Sequence, residues 1–177
     1  MQPKAALATI ECVRGDITCQ PDMDAVVNAA NAELRPGGGV AGAIHRAAGP
    51  ELDAACRAHA PIAPGQAVIT DAFGLPNRHV IHCLGPVYGR DHPAETLLGD
   101  CHRNAIALAR DAGLASIAFP ALSTGIFGYP IAEAAEVAVQ AVVAALADAG
   151  SLQRLRFVLF SPDDLAVFDA ALRSHQP

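Results

Sequence analysis

The stretch Val26-Val27-Asn28-Ala29-Ala30-Asn31, followed by Gly37-Gly38-Gly39-Val40-Ala41-Gly42-Ala43-Ile44-His45, decides the fold. An apolar β-type run ends at two asparagines, and a glycine-rich turn then feeds a helix. Glycine lets a backbone turn sharply and approach a ligand closely, while the first turn of a helix offers unpaired N–H groups and a positive dipole end. The stretch therefore predicts a phosphate cradle built from backbone groups.

The composition describes an acidic globular protein. The chain has 177 residues, a formal net charge of -6 and a single lysine, Lys4. Its hydrophobic fraction of 52% and charged fraction of 17% predict one domain over residues 1–177, which we expect to be a monomer. The acidic balance argues against binding of duplex nucleic acid through a basic patch. No apolar run reaches the roughly 18 residues of a membrane span. The N-terminus lacks a signal-peptide core, so we expect a cytoplasmic protein.

The cysteines and histidines show no metal-ligand spacing. The five cysteines are widely spaced without a C-x-x-C pair, which predicts reduced and mostly buried thiols. The seven histidines lack an H-E-x-x-H pattern, although His79 and His82 share one apolar segment. We therefore predict neither a metal nor a cofactor.

Apolar β-type segments alternate with longer, alanine-rich helical segments. Strands are expected at Leu7 to Val13, Ala25 to Val27, Ala67 to Thr70, His79 to Leu84, Ser116 to Phe119 and Leu155 to Phe160. Helices are expected at Val40 to Ala48, Glu51 to His59, Ala94 to Ala112, Ile131 to Ala149 and Asp163 to Arg173. This alternation predicts an α/β fold with helices on both faces of a largely parallel or mixed sheet. Such folds bind ligands in the loops beyond the carboxyl ends of the strands.

Gly15-Asp16-Ile17-Thr18 follows the first predicted strand and offers a carboxylate. Asp16 could accept a hydrogen bond from an uncharged donor such as the exocyclic amine of adenine. The alternative is a turn aspartate that caps the residues after it. Position alone does not decide between the two.

Asn28 and Asn31 stand at the end of the apolar run, where a buried carboxamide needs hydrogen-bond partners. Asparagine both donates and accepts, so Asn31 could bind the vicinal hydroxyls of a ribose, whereas the alternative for either residue is to brace a loop. The glycines also fit G-x-G-x-x-G over residues 37–42, with Asp53 beyond them. However, a dinucleotide fingerprint turns directly from strand to helix, and no lysine follows as in a P-loop.

The segment from Phe119 to Pro130 runs from a predicted buried strand to a long helix. Ser123-Thr124-Gly125 combines small side chains with open N–H groups, which suits a diphosphate. A nucleophilic Ser123 is the alternative. The G-x-S-x-G pattern of such serines is absent, because Ala121 and Leu122 precede the serine.

Phe160 ends the last predicted strand, ahead of Ser161-Pro162-Asp163-Asp164. An aromatic side chain at this position can stack on a base, a contact worth about 1–3 kcal/mol in nucleic-acid binders. An ordinary core position is the alternative. Together the four sites describe a ligand with an adenine, a ribose and a diphosphate.

Four motifs make the chain resemble a macrodomain in their order and spacing. They are Gly15-Asp16-Ile17-Thr18, Val26 to Asn31, the triple glycine running into Ile44-His45-Arg46-Ala47-Ala48-Gly49, and Phe119 to Pro130. The resemblance implies a three-layer α/β/α sandwich with a mixed, roughly six-stranded sheet and a cleft for ADP-ribose. Within the family the chain most resembles the MacroD-type branch. Members of that branch remove mono-ADP-ribose from acidic side chains of proteins and deacetylate O-acetyl-ADP-ribose.

The resemblance also implies roles for individual residues. Asp16 would take the adenine amine with Ile17 beside it, and Phe160 would stack on the adenine ring. Asn31 would bind the hydroxyls of the distal ribose. The residues expected around the diphosphate and the distal ribose are Gly38, Gly39, Val40, Ala41, Ser123, Thr124, Gly125, Ile126 and Phe127.

Ala41 departs from the MacroD-type pattern Gly-Gly-Gly-Val-Asp-Gly, whose aspartate is proposed to activate water or a ribose hydroxyl. A methyl group accepts no proton, and loss of a general base costs roughly a hundred- to ten-thousand-fold in rate. Some viral and archaeal macrodomains carry Gly-Gly-Gly-Val-Ala and resemble hydrolases that act through the distal-ribose asparagine and an ordered water. Alternatively, Ala41 reflects an Asp→Ala substitution of the kind made to trap a bound ligand.

Two functions follow from the resemblance. The first is hydrolysis of ester-linked ADP-ribose, in O-acetyl-ADP-ribose or in mono-ADP-ribosylated proteins, with Asn31 and the position of Ala41 at the catalytic centre. The second is binding of ADP-ribose without turnover, which Ala41 favours. A Rossmann-like dehydrogenase is a third hypothesis, based on the glycine spacing alone, and it would bind NAD better than ADP-ribose.

Overall fold

A computed structural model describes residues 8–175, which form one six-stranded sheet and five α-helices. In chain order the elements are β1 Thr9–Arg14, β2 Ala25–Ala29, α1 Gly39–Ala48, α2 Pro50–Cys56, β3 Ala67–Asp71, β4 His79–Cys83, α3 Ala94–Asp111, β5 Ser116–Phe119, α4 Ile131–Ala145, β6 Arg154–Leu159 and α5 Pro162–His175. A short 3₁₀ turn, Leu146–Asp148, follows α4. No helix within this range is long and apolar enough to cross a membrane.

The strand order across the sheet is β1-β6-β5-β2-β4-β3. All neighbouring pairs are parallel except β3 and β4, which run antiparallel. The sheet is therefore mixed and six-stranded, as predicted. Because β1, β6, β5, β2 and β4 point the same way, their carboxyl ends meet at one edge of the sheet.

Alternating side chains of the central strands bury the two faces of the sheet in two separate cores. In β2, Val27 packs with residues of α3, α4 and α5, whereas its neighbour Val26 packs with residues of α1 and α2. In β6, Phe157 and Val158 divide in the same way. This period of two places helices on both faces of the sheet and confirms the three-layer α/β/α sandwich.

The element boundaries differ from the predicted ones by a few residues. The helix predicted to reach Ala149 ends at Ala145, and the 3₁₀ turn completes it before Gly150, whose φ is +58°. The helix predicted to reach His59 ends at Cys56. β2 extends to Ala29, so Asn28 lies inside the strand. β6 ends at Leu159, one residue before Phe160, and the predicted strand start at Leu7 falls outside the described residues.

Candidate ligand-binding site

A cleft lies at the edge of the sheet where the parallel strands end. The loops after β1, β2, β5 and β6 meet there with the first turns of α1 and α5. Ligands of open α/β sheets bind at this edge. The cleft consists of two adjoining cavities, and the residues that line both, here named the waist, are Gly39, Val40, Ala121 and Gly125.

The first cavity has a volume of about 280 Å³ and a wall of small and apolar residues. Beyond the waist it is lined by Ala29, Ala30, Gly38, Gly85, Leu122, Ser123, Ile126 and Phe127. Ile126 is 99% exposed and stands at the rim. The lining residues that the structure describes carry no ionisable side chain. Backbone groups and the Ser123 hydroxyl are therefore the groups that can hold a polar ligand here.

The second cavity has a volume of about 450 Å³ and contains carboxylates and an aromatic ring. Beyond the waist it is lined by Gly15, Asp16, Ile17, Ala43, Pro120, Thr124, Val158, Phe160 and Asp164. Apolar walls with a few acceptors suit an uncharged heterocycle that donates hydrogen bonds.

Asp16 caps the turn after β1, which is one of the two roles that the sequence left open, and it lines the second cavity. Its Oδ1 accepts hydrogen bonds from the Thr18 hydroxyl, at 2.7 Å, and from the Thr18 backbone N–H, at 2.8 Å. These bonds lower the pKa of Asp16, so the side chain is an acceptor at neutral pH. Oδ1 thus caps the turn, and no hydrogen bond to Oδ2 occurs within residues 8–175. Oδ2 is the oxygen that a ligand can use.

A network behind the second cavity fixes the loop that carries Asp16. Gln20 donates from Nε2 to the Asp16 carbonyl oxygen at 2.9 Å. Arg156 of β6 donates to Gln20 Oε1 at 2.9 Å, to Glu11 Oε1 at 2.7 Å and to both carboxylate oxygens of Asp22. Hydrogen bonds from Arg156, and secondarily from Arg154, hold the pKa of Asp22 well below its usual range. One guanidinium therefore ties the loop to the sheet.

The glycine-rich turn reaches α1 with open backbone groups, as predicted. Gly39 has a φ of +56°, which favours glycine, and no side chain in the described part of the chain caps the first turn of α1. A side chain at Gly42 would overlap the Gly37 carbonyl, so the turn packs against the helix at the closest distance that a backbone allows. The N–H groups at this helix start line the waist and can bind an anion.

The loop after β5 forms the opposite wall. Ser123 has a φ of +66°, and its carbonyl accepts the Tyr129 N–H at 2.9 Å. Thr124 donates from its hydroxyl to the Ala121 carbonyl at 2.9 Å, and the Tyr88 N–H donates to the Phe127 carbonyl at 2.9 Å. Ser123 Oγ is buried and has no hydrogen-bond partner among the described residues. No base within residues 8–175 hydrogen-bonds to this hydroxyl, so the geometry of the described residues favours a binding loop over a nucleophilic serine.

Phe160 is 86% exposed, directly after β6 and against the second cavity. The core alternative is therefore wrong for this residue. An exposed phenyl ring at the mouth of a cavity presents an open face for stacking.

The structure places Asn31 and Ala41 outside the linings of both cavities. Asn31 donates from Nδ2 to the Arg35 carbonyl at 2.8 Å and accepts the Arg35 N–H at Oδ1 at 3.0 Å. The carboxamide thus braces the loop, and one N–H and one lone pair are left for another partner. Asn31 is partly exposed, and its Nδ2 lies close to Gly37 of the glycine-rich turn.

Ala41 is buried in the first turn of α1, one helical turn before His45. Residues four apart on a helix face the same way. His45 is also buried, which lowers its pKa, and neither of its ring nitrogens has a hydrogen-bond partner in the part of the chain that the structure describes. Ala41 and His45 therefore lie on the same buried face of α1, one turn apart.

Asn28 belongs to a row of buried, hydrogen-bonded polar side chains on the sheet. Asn28 Nδ2 donates to His82 Nδ1 at 3.1 Å, so the His82 proton lies on Nε2, which faces Thr70 Oγ1 at 3.0 Å. The Thr70 hydroxyl donates to the Asp71 carbonyl at 3.0 Å. Burial is the main cause that lowers the pKa of His82 to about 3. Asn28 thus links two neighbouring strands within the core, and the loop-bracing alternative is wrong for this residue.

The thiols and imidazoles form no metal centre within residues 8–175. All five cysteines are free, and Cys56, Cys83 and Cys101 are buried. Their packing role agrees with the prediction of reduced and mostly buried thiols.

Sequence reasoning missed several lining residues. Gly85 and Asp164 are the ones with a clear physical role, since a side chain at Gly85 would overlap Ser123 Oγ and Asp164 adds a second carboxylate to the second cavity. The sequence did indicate Asp164 indirectly, because this residue follows the end of β6. The loops that bind ligands meet at the carboxyl ends of the strands.

Comparison with known proteins agrees with this geometry. The family profile for the macro domain matches residues 27–138. An O-acetyl-ADP-ribose deacetylase from Klebsiella pneumoniae is 47% identical over 170 residues, which cover 93% of this chain and 97% of the relative. A macro domain-containing protein from Chlorobaculum tepidum is 46% identical over 164 residues, which cover 92% and 95% of the two chains.

Solved structures show the same architecture. The Oceanobacillus iheyensis macrodomain with ADP has a TM-score of 0.90 and 40% identity, with coverage of 98% of this chain and 95% of that chain. The Trypanosoma brucei macrodomain in complex with ADP-ribose has a TM-score of 0.86 and 36% identity, with coverage of 92% and 68%.

The fold and the cleft define an α/β/α protein with a nucleotide-shaped site at the carboxyl edge of its sheet. The chain belongs to the macro domain family.

Proposed function

We propose that this macrodomain binds ADP-ribose and hydrolyses esters of it, in O-acetyl-ADP-ribose and in mono-ADP-ribosylated proteins. The observation that carries the proposal is the continuous cleft, in which two cavities of about 280 and 450 Å³ join at a waist of backbone groups. ADP-ribose matches that shape, because an anionic diphosphate joins its larger adenosine end to its smaller distal ribose. The names of the deacetylase relatives and of the ligand-bound structures support it.

The adenosine half of the ligand occupies the second cavity. There Asp16 Oδ2 accepts from the adenine amine, Ile17 contacts the base, and Phe160 stacks on it. The cavity offers no lysine or arginine among its described lining residues. Binding energy at the base therefore comes from stacking and from one charge-assisted hydrogen bond.

The diphosphate lies across the waist, and the distal ribose enters the first cavity. Gly38, Gly39 and Val40 approach the phosphates from one side, and Ser123 to Phe127 approach from the other. Backbone N–H groups and the positive end of α1 replace cationic side chains there. Asn31 turns its free N–H and lone pair to the distal ribose hydroxyls once a ligand is bound.

In hydrolysis, water adds to the acyl carbon of the ester, the bond from that carbon to the ribose oxygen breaks, and the ribose oxygen takes up a proton, so that ADP-ribose and a carboxylic acid are released. In ADP-ribosylated protein, water instead attacks C1″ of the distal ribose and the side-chain carboxylate is the leaving group. Proximity supplies much of the rate. Asn31 and the position of Ala41 form the catalytic centre, and Ala41 supplies no base. His45 supports this assignment, because it lies one turn further along the same face of α1 and its ring nitrogens have no hydrogen-bond partner among the described residues. Turnover is therefore slow, and binding without turnover is the alternative function.

The test combines binding with turnover. Calorimetry should show ADP-ribose binding more tightly than NAD, and tight NAD binding with weak ADP-ribose binding would overturn the proposal. Turnover is measured on O-acetyl-ADP-ribose and on a glutamate-linked mono-ADP-ribosylated protein with the chain, Ala41→Asp and the matched control Ala47→Asp on the exposed side of α1.

Each outcome has a distinct meaning. A gain of about a hundredfold or more in Ala41→Asp alone supports a hydrolase that lacks its base. Equal activity in all three proteins shows catalysis that needs no carboxylate at residue 41. Activity in none, with ADP-ribose still bound, identifies a non-catalytic ADP-ribose reader.

A further inference from the structure

The second cavity carries negative charge and no positive charge on its lining. Asp16 and Asp164 are the ionisable residues among the described residues around it. Arg14 precedes Gly15 but is not part of the lining, and the guanidinium of Arg156 is engaged by Glu11 and Asp22. A ligand group that enters this cavity therefore meets carboxylates without a compensating cation.

The start of α5 does not offset that charge. The backbone N–H of Asp164 donates to Ser161 Oγ at 3.1 Å, so a side chain already satisfies this group at the helix start. Asp163 and Asp164 both lie in the first turn of α5. Their negative charges offset the positive partial charge at this end of the helix. The helix end beside Phe160 is consequently a poor site for a phosphate.

The inference rests on the proposed function, under which the adenosine half of ADP-ribose fills this cavity. We propose that Asp164 is a specificity-determining residue that excludes ADP-ribose phosphorylated on the 2′-hydroxyl of its adenosine ribose. The substrate class is then ADP-ribose derived from NAD, and the class derived from NADP is rejected.

The physical reason is repulsion between like charges. A phosphate monoester carries between one and two negative charges near neutral pH. Proteins that accept a 2′-phosphate at such a ribose provide an arginine for it. Here the 2′-phosphate would face the Asp164 carboxylate without a compensating cation among the described lining residues, which weakens binding by repulsion.

The experiment compares ADP-ribose with 2′-phospho-ADP-ribose by calorimetry in the full chain, Asp164→Asn and Asp163→Asn. Asp163 is the matched control because it is an exposed carboxylate in the same helical turn that does not line the cavity. We expect ADP-ribose to bind at least tenfold more tightly in the full chain. Asp164→Asn should reduce this preference at least threefold, and Asp163→Asn should leave it unchanged. Added salt should reduce it in the full chain more than in Asp164→Asn.

Two results would overturn the inference while ADP-ribose still binds. One is equal affinity for the two ligands in the full chain. The other is a preference that Asp164→Asn leaves intact or that Asp163→Asn reduces equally. Failure of ADP-ribose itself to bind would instead overturn the proposed function, so the two failures are distinguishable. The affinity of each variant for ADP-ribose also reports that the variant is folded.

Discussion

The hydroxyl oxygen of Ser123 occupies the space into which a side chain at Gly85 would project. Gly85 lies two residues after β4, and Ser123 lies at the turn of the loop after β5. The two residues fit together only because Gly85 has no side chain. A few residues further along both segments, the Tyr88 N–H donates a hydrogen bond to the Phe127 carbonyl. The segment after β4 thus supports the whole wall of the first cavity.

Gly85→Ala should weaken ADP-ribose binding at least tenfold, because the added methyl group displaces Ser123 and the wall that follows it. Ser123→Gly removes the obstructing side chain and also relieves the positive φ. The double variant should recover most of the affinity, as measured by calorimetry. If the double variant binds as weakly as Gly85→Ala, the contact with Ser123 is not the cause.

Asn31→Ala should weaken ADP-ribose binding by about 1–3 kcal/mol, since the carboxamide supports the loop at Arg35 and also faces the distal ribose in our proposal. Asn104→Ala is the matched control. Asn104 donates from the same group to the Gly65 carbonyl at 2.8 Å, and it lines neither cavity. Both variants lose a carboxamide bond to a loop. Equal affinities for the two variants would remove Asn31 from the site.

Arg156→Met should lower the free energy of unfolding by about 1–3 kcal/mol. The expected loss is modest because the carboxylate partners of Arg156 are half exposed, and solvent weakens such ion pairs. The Arg156 side chain itself is 11% exposed. Because Arg156 acts on Asp16 through Gln20, the preference for ADP-ribose over the hypoxanthine analogue, which lacks the amine, should also shrink. Arg154→Met, on the same strand and more exposed, is the control. A loss of stability without a change in base preference would limit Arg156 to a structural role.

Acidification should destabilise the fold through His82. Its pKa is about 3 in the folded protein, below the roughly 6.5 of an unfolded histidine, so the unfolded chain binds the proton more readily. Stability is therefore complete above about pH 6.5 and falls as the pH drops towards 3.

The expected loss from His82 between pH 7 and pH 5 is about 2 kcal/mol. Urea unfolding at the two pH values measures the loss of unfolding free energy on acidification. This loss should be smaller by about 2 kcal/mol in His82→Gln than in the unsubstituted chain. The ring C–H resonance of His82 in the unsubstituted chain gives a second measurement. A titration midpoint near 6.5 for that resonance would contradict the assignment.

Local sequence patterns predicted most of the fold. The alternation of apolar segments located all six strands, because a period of two or a short apolar run is visible without tertiary contacts. The glycine-rich turn was equally readable, since the conformations at Gly39 and Gly42 depend on neighbouring backbone. The end of α4 was less readable, because its last turn tightens into a 3₁₀ turn with the same residue types.

The missed parts of the site depend on segments that are distant in sequence. Gly85 matters because Ser123 arrives beside it, and no pattern around residue 85 reveals that. The exposure of Phe160 likewise follows from where β6 ends relative to α5. That the His45 ring nitrogens have no hydrogen-bond partner within residues 8–175 is likewise visible only in the coordinates. The single domain, the monomeric state and the cytoplasmic location stay predictions.

The cleft draws its walls from five segments that are far apart along the chain, from Gly15 to Asp164. An occupant of both cavities would act as a reversible cross-link between the first strand and the last helix. At a ligand concentration a hundred times the Kd, such a cross-link adds about 2.7 kcal/mol to folding. The survival of this protein against proteolysis in a cell would then rise and fall with the supply of free ADP-ribose.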